Sequence, residues 1–232
     1  MSEPVLRFER VTRAFGRTRA VDGLDLDVRA GEVVGLVGRN GAGKTTSLRL
    51  AAGILWSDGG SIRTLGHDPR TDGDAVRERV SLMAEETALF PTLTVAETLK
   101  LVAGVHPRWD HDHAESIRER MDLDPAARVD ALSRGGRAKL SLTLALAPRP
   151  ELLLLDDPTA GLDPLVRREV LEGLLGATAD AGGAVLYASH LIHDVERTAD
   201  RVVVLDDARK VLDDTVDNIR GSIRRATAVF EN

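Results

Sequence analysis

The sequence predicts an α/β protein built around a parallel β-sheet. Short apolar runs typical of buried strands occur at Leu152–Leu155, Ala184–Ala188 and Val202–Leu205, and a segment with helical spacing, Pro164–Leu175, separates the first two. Strands that alternate with helices pair in parallel, because each helix returns the chain to the starting edge of the sheet. A chain of 232 residues is long enough for one domain with an inserted lobe.

The first sixty residues predict mainly β structure. Val5–Val11 is a predicted strand, and Leu24–Val28 alternates apolar and acidic residues, as a half-buried strand does. Glu32–Val37 predicts a buried strand, and a helix is expected over Ser47–Ala52. The sequence Asp58-Gly59-Gly60 is typical of a hairpin turn.

From Glu85 to about Ala147 the pattern becomes helical. Val95–Val102, His113–Met121 and Arg137–Ala147 all have helical spacing. We therefore expect a single domain over residues 1–220, with residues 85–147 forming a helical subdomain inserted into the α/β core.

The C-terminal part predicts a polar helix from Asp213, followed by a short strand at Ala226–Phe230 within a tail of residues 221–232.

Composition excludes several classes of protein. The chain has no cysteine, which excludes disulfides and zinc–thiolate sites, and its aromatic content of 3% implies an aliphatic core. The apolar runs are far shorter than the roughly 20 residues of a membrane-spanning helix, and charges interrupt the N-terminus where a signal peptide would be apolar. The net charge of −6, without a basic block, argues against binding of nucleic acid. We expect a cytoplasmic protein.

The segment from Gly38 to Thr45 matches G-x-x-x-x-G-K-[ST] between a predicted strand and a predicted helix. In this pattern the backbone N–H groups and the helix N-terminus bind phosphates, the lysine reaches the β- and γ-phosphates, and the hydroxyl binds Mg²⁺. The predicted nucleotide-binding residues here are Gly38, Arg39, Asn40, Gly41, Ala42, Gly43, Lys44, Thr45 and Thr46.

Asp156 directly follows the apolar strand Leu152–Leu155. The carboxyl ends of parallel strands open onto the ligand crevice, so we expect Asp156 to face Thr45 and to hold Mg²⁺. An aspartate that merely caps a turn is the alternative for this residue taken alone.

A third motif narrows the class of nucleotide-binding protein. Leu132-Ser133-Arg134-Gly135-Gly136 precedes a helical run, with Ser133 placed to cap it, and Ser189-His190 follows a later strand. The order of phosphate loop, helical insert, Leu-Ser-x-Gly helix, Asp-Asp-Pro-Thr-Ala-Gly-Leu-Asp and Ser-His resembles the ATP-binding cassette (ABC) ATPases. The resemblance covers residue 5 to about residue 212 and is strongest to the ATP-binding subunits of bacterial ABC-2-type exporters.

This resemblance implies a P-loop NTPase (RecA-like) core with an N-terminal antiparallel β subdomain and an inserted α-helical subdomain. It implies a subunit that binds ATP and Mg²⁺, hydrolyses ATP and pairs head to tail with a second ABC subunit, identical or different. It also implies a separate transmembrane permease, which would hold the subunit at the inner face of the cell membrane.

The resemblance also implies roles for individual residues. Phe15 matches the ring that stacks on adenine, although a core phenylalanine is the alternative. Asp163 matches an aspartate of the dimer interface, and His190 matches a histidine that contacts the γ-phosphate. The signature residues that would complete the partner's nucleotide site are Ser133, Arg134, Gly135 and Gly136.

Four positions depart from the family pattern. Asp157 stands where the family has a catalytic glutamate, and Glu85 stands where it has a glutamine that also binds the metal. Arg134 and Gly136 replace the more common glycine and glutamine of the signature. The shorter Asp157 must move or act through water, so slow hydrolysis is expected. The predicted catalytic residues are Asp157, His190 and Glu85, and the predicted Mg²⁺ ligands are Thr45, Asp156 and Glu85.

The sequence is compatible with two alternatives to a transport ATPase. One is an ABC ATPase that acts on ribosomes or nucleic acid, although the second cassette or long coiled coil of such proteins is missing from this sequence. The other is a nucleotide-gated regulatory module with slow hydrolysis, which Asp157 keeps open. The Asp110-His111-Asp112-His113 segment suggests metal ligands, but its place at a helix start favours a helix cap.

Overall fold

The computed structural model describes residues 3–85, 87–181 and 183–222. The strand expected at Ala226–Phe230 lies outside these residues. Within them, no helix is long and apolar enough to cross a lipid bilayer.

A three-stranded antiparallel sheet contains most of the N-terminal part, in the order β2 (Thr18–Val28), β1 (Leu6–Phe15) and β4 (Gly59–Thr64). The hairpin predicted at Asp58-Gly59-Gly60 is wrong, because β4 starts at Gly59 and pairs with the distant β1. Gly60 has a φ of 79°, and a Cβ there would collide with the carbonyl oxygens of Glu9 and Arg10. These glycines therefore mark a close approach of two strands.

A six-stranded sheet forms the centre of the fold. Its order is β5 (Val80–Met83), β6 (Leu152–Asp156), β7 (Ala184–Ser189), β3 (Val33–Gly38), β8 (Arg201–Asp206) and β9 (Arg209–Thr215). The first five strands are parallel, as predicted, and β9 is antiparallel to β8. The helix predicted from Asp213 begins only at Val216, because the largely buried Arg201 pairs with Asp213 at 2.8 Å while Asp213 lies in β9.

The helices are α1 (Lys44–Ala51), α2 (Gly73–Arg77), α3 (Val95–Ala103), α4 (His111–Arg120), α5 (Arg134–Leu146), α6 (Pro164–Ala181), α7 (Ile192–Thr198) and α8 (Val216–Ser222). A short 3-10 helix covers Val129–Ala131. Asp110 caps α4, and its carboxylate accepts a hydrogen bond from the His113 backbone N–H at 2.9 Å. This confirms the helix-cap interpretation. In the part of the chain that the structure describes, no three His, Cys, Asp or Glu side chains are grouped so that they alone could hold a metal ion.

The central sheet is covered by apolar residues on both faces. Along β6, Leu152 and Leu154 pack with β1, β2, β4 and α1, whereas Leu153 and Leu155 pack with α4, α5, α6 and α7. The two clusters are mainly aliphatic, with Phe8 and Tyr187 as their aromatic members. The predicted fold class, a parallel-sheet core with an antiparallel β subdomain, is confirmed.

Candidate nucleotide site

The chain turns from β3 into α1 within the five residues between Gly38 and Lys44. Gly41 and Gly43 have φ values of 85° and 102°, in the left-handed region that favours glycine. A Cβ on Gly43 would also collide with the carbonyl oxygen of Ala20. The helix predicted from Ser47 in fact starts at Lys44, so the lysine lies in its first turn.

Lys44 is only 6% exposed. Its Nζ donates hydrogen bonds to the carbonyl oxygens of Gly38, at 2.7 Å, and Arg39, at 3.1 Å. The ammonium group therefore lies beside the start of the loop. There its positive charge interacts with the two carbonyl dipoles and is available to bind a phosphate.

Thr45 and Asp156 meet as the sequence predicted. The Thr45 hydroxyl donates to Asp156 Oδ1 at 2.9 Å. Burial raises the pKa of the Asp156 carboxyl, and the negative charges of Asp157 and Glu85 raise it further, while the Thr45 bond and the charge of Arg49 oppose the shift. A hydroxyl and a buried carboxylate crowded by other carboxylates are oxygen donors that suit a divalent cation, so these residues fit Mg²⁺.

Asp157 and His190 form a second pair at the same edge of the sheet. Asp157 Oδ1 lies 3.0 Å from His190 Nδ1, because β6 and β7 are neighbouring parallel strands whose ends meet there. Asp157 has a φ of 46°, a conformation that aspartate tolerates better than longer side chains do, and its N–H donates to the Ala188 carbonyl at 3.0 Å. A carboxylate held in this way can accept a proton from a water molecule.

A polar pocket of about 280 Å³ adjoins Asp157. Its charged lining consists of Glu85, Asp157, Arg134 and Arg137. The Arg134 guanidinium lies so close to Gly161 that a Cβ on that glycine would collide with it. Arg134, predicted to reach a partner's nucleotide, therefore contacts a loop of its own chain in this conformation. Glu85 shares the pocket with Asp157.

Phe15 lies at the end of β1 and is 47% exposed. The guanidinium carbon of Arg13 lies 4.7 Å from the centre of its ring, and Arg13 Nη1 donates to Asp58 at 2.8 Å. The exposure argues against the alternative of a core phenylalanine, and it leaves ring surface open to a stacking partner. Sequence reasoning missed Arg13. Arg13 and Phe15 are two residues apart on β1, and residues at this spacing point to the same face of a strand.

Ser133 and Asp163 each accept hydrogen bonds from backbone N–H groups close to them in sequence. Ser133 caps α5 as predicted and accepts a hydrogen bond from the Gly136 N–H at 3.0 Å. Asp163 accepts from the Leu165 and Val166 N–H groups, each at 3.1 Å, at the start of α6. Among the described residues, no hydrogen bond or ion pair joins Phe15, Ser133 or Asp163 to the phosphate loop.

Sequence reasoning also missed a buried contact behind Asp157. Thr159 donates to the carboxylate of Asp194 at 2.7 Å, and both residues are almost fully buried. The available signal was weak: an acidic residue about one helical turn after His190.

Comparison with known proteins points to one family. The family described as "ABC transporter" matches residues 21–160. The daunorubicin/doxorubicin resistance ATP-binding protein DrrA of Streptomyces peucetius is 34% identical over 92% of this chain and 66% of its own length. A Nod factor export ATP-binding protein of Paraburkholderia xenovorans is 36% identical over 91% of this chain and 71% of its own length. The chain thus spans about two thirds of the length of these relatives.

Solved structures support the same fold. The structure described as an ATP binding subunit of an ABC transporter has a TM-score of 0.83 and 26% sequence identity. The match covers 94% of this chain and 92% of that one.

Proposed function

Because this chain belongs to the ABC transporter family, we propose that it is the ATP-binding and ATP-hydrolysing subunit of a multi-component exporter. The observation that carries the proposal is the 2.9 Å contact of Thr45 with Asp156 beside the glycine-rich loop of Lys44. These groups together supply a positive charge for phosphates and oxygen donors for a metal. The names of two relatives, for daunorubicin resistance and for Nod factor export, support export as the direction.

Different residues of the site bind the phosphates, the adenine and the metal ion in this proposal. Lys44 and the loop N–H groups bind the β- and γ-phosphates, and Phe15 stacks on adenine. Thr45, Asp156 and Glu85 hold Mg²⁺, which neutralises phosphate charge when it is bound.

Asp157 accepts the proton of the attacking water in this proposal, and His190 contacts the γ-phosphate. Asp157 is one methylene shorter than the glutamate usual in the family, and its backbone is held in a left-handed conformation. Catalysis is sensitive to displacements of about 1 Å, so we propose that turnover is slow.

Membership of the family supports a proposal for the rest of the assembly. Ser133, Arg134, Gly135 and Gly136 complete the nucleotide site of a second subunit that lies head to tail with this one, and Asp163 contacts that subunit. We propose that residues 1–220 act as one ATPase domain, in which the helices of residues 85–147 face a separate transmembrane permease. The permease holds the complex at the cytoplasmic side of the membrane.

The test is phosphate release by the full chain, purified with its permease in lipid and supplied with Mg²⁺ and ATP. We expect release that stops in Lys44→Ala and that also requires Mg²⁺. Tight ATP binding without release above the Lys44→Ala background would refute hydrolysis and favour the regulatory module. A chain that never associates with a membrane protein would refute the transport assignment.

A further inference from the structure

Helix α7 carries the chain onward from His190 and is packed directly on β3. A Cβ on Gly35 would collide with the side chain of Val195, so the helix and the strand approach more closely than a larger residue at position 35 would allow. Since β3 leads into the phosphate loop, α7 is fixed relative to the phosphate-binding backbone. The position of His190 depends on this helix, because Leu191 is its N-cap residue.

A buried hydrogen bond joins α7 to the loop that contains Asp157. Thr159 Oγ1 donates to Asp194 Oδ2 at 2.7 Å, with Thr159 1% exposed and Asp194 5% exposed. The same carboxylate oxygen lies 3.8 Å from Arg167 Nε, on α6. A charge-assisted bond shielded from water in this way is stronger than an exposed one.

The contact between His190 and Asp157 is less shielded from water than this bond. The His190 side chain is 44% exposed, so water competes for its 3.0 Å contact with Asp157. Thr159 lies two residues after Asp157, and Asp194 lies four residues after His190. The buried pair therefore joins the loop that follows Asp157 to the helix that follows His190.

We propose that Thr159 and Asp194 are positioning residues, whose bond holds Asp157 and His190 at their working separation. The inference rests on the proposed hydrolysis of ATP and names two residues that support it without touching nucleotide. Loss of the bond should lower kcat and leave ATP affinity nearly unchanged, because Lys44 and the loop N–H groups follow β3, whereas the bond joins α7 to the loop after β6. The packing of Val195 on Gly35, which holds α7 on β3, does not depend on this bond.

The chain offers a matched control on the same helix. Thr198 Oγ1 lies 2.5 Å from the Tyr187 hydroxyl and donates to the Asp194 carbonyl at 2.7 Å, at the opposite end of α7 from His190. Thr159→Val and Thr198→Val each replace a hydroxyl by a methyl of similar size. Thr159→Ser keeps the donor.

The experiment measures phosphate release, ATP affinity, thermal stability and hydrogen–deuterium exchange for these three variants in the permease complex. We expect Thr159→Val to lower kcat about ten- to a hundredfold, with KM and ATP affinity within twofold of the original chain. Thr159→Ser should restore at least half of the original kcat. Thr198→Val should lower the melting temperature but keep kcat within twofold.

Equal losses of kcat in Thr159→Val and Thr198→Val would overturn the inference, as would a parallel loss of ATP affinity. If the original chain itself releases no phosphate above Lys44→Ala, the proposed function fails separately. Hydrogen exchange then decides the inference: Thr159→Val must accelerate exchange at Asp157 and His190 more than Thr198→Val does, and equal exchange overturns it.

Discussion

Asp157→Asn gives the sharpest test of the proposed chemistry, because it removes a charge and changes little else. Asp157 is 9% exposed, and its carboxylate lies 3.0 Å from His190. An amide has the same shape, and asparagine tolerates the φ of 46° as well as aspartate does. The charge of Asp157 also raises the pKa of Asp156, so its removal relieves a repulsion.

The expected losses can be worked out from these contacts. A hydrogen bond to a charged group contributes about 1.5–3 kcal/mol, and the relieved repulsion offsets part of that, so the free energy of unfolding should fall by about 1 kcal/mol. A positioned base contributes roughly 10²–10⁴ in rate, which corresponds to about 2.7–5.4 kcal/mol of activation free energy. Turnover should therefore fall far more than stability does.

The assay is steady-state phosphate release at saturating ATP and Mg²⁺, with ATP affinity and thermal melting measured on the same preparations. A kcat that falls less than threefold would show that Asp157 is not the base. A parallel loss of ATP affinity would instead place Asp157 in nucleotide binding.

Four further changes test Asp157 again and three other parts of the structure. Asp157→Glu should raise kcat, because it extends the carboxylate by one methylene, and an unchanged kcat would mean that side-chain length is not limiting. The same change should lower the free energy of unfolding by about 1 kcal/mol in denaturant unfolding, because a longer side chain is placed at positive φ. Gly35→Ala should destabilise the fold by about 1–3 kcal/mol, seen as a lower melting temperature, because its methyl collides with a valine of α7. Arg13→Met should weaken ATP binding about two- to fivefold with kcat unchanged, since it removes the cation beside the Phe15 ring; a changed kcat would contradict this. Hydrogen bonds from two arginines lower the pKa of Glu151 to about 2, so its contribution is complete above pH 4.5 and disappears as the pH falls towards 2. Because Glu151 is half-exposed, Glu151→Gln should lower stability at pH 7 by at most about 1 kcal/mol, and the difference in melting temperature should shrink over that pH range.

Local sequence signals predicted the parts of the site that depend on local structure. The glycine spacing before Lys44 predicted the loop, because left-handed backbone and close approach to Ala20 admit only glycine there. Ser133 as the cap of α5 needed only the preference of an N-cap for a hydroxyl. The approach of Asp156 to Thr45 needed one further rule, that parallel strands end at the same edge.

Features that depend on distant partners could not be read from sequence. Asp213 lies in a strand because Arg201, twelve residues earlier, pairs with it. The bond between Thr159 and Asp194 joins residues 35 positions apart, and each alone is unremarkable in sequence. The placement of Arg134 against its own chain likewise depends on how α5 lies beside the loop after β6, which no local pattern specifies.

The order of the central strands has a mechanical consequence. β6, β7 and β3 are consecutive in the sheet. Asp156 ends β6, His190 follows β7 and the phosphate loop follows β3, so these three parts of the site lie at the ends of neighbouring strands. Neighbouring strands lie about 4.8 Å apart and are joined by a row of backbone hydrogen bonds. The distance from β6 to β3, about 10 Å, is therefore fixed by the sheet. We therefore expect any displacement that accompanies nucleotide binding to occur in the helices and loops attached to these strands rather than within the sheet.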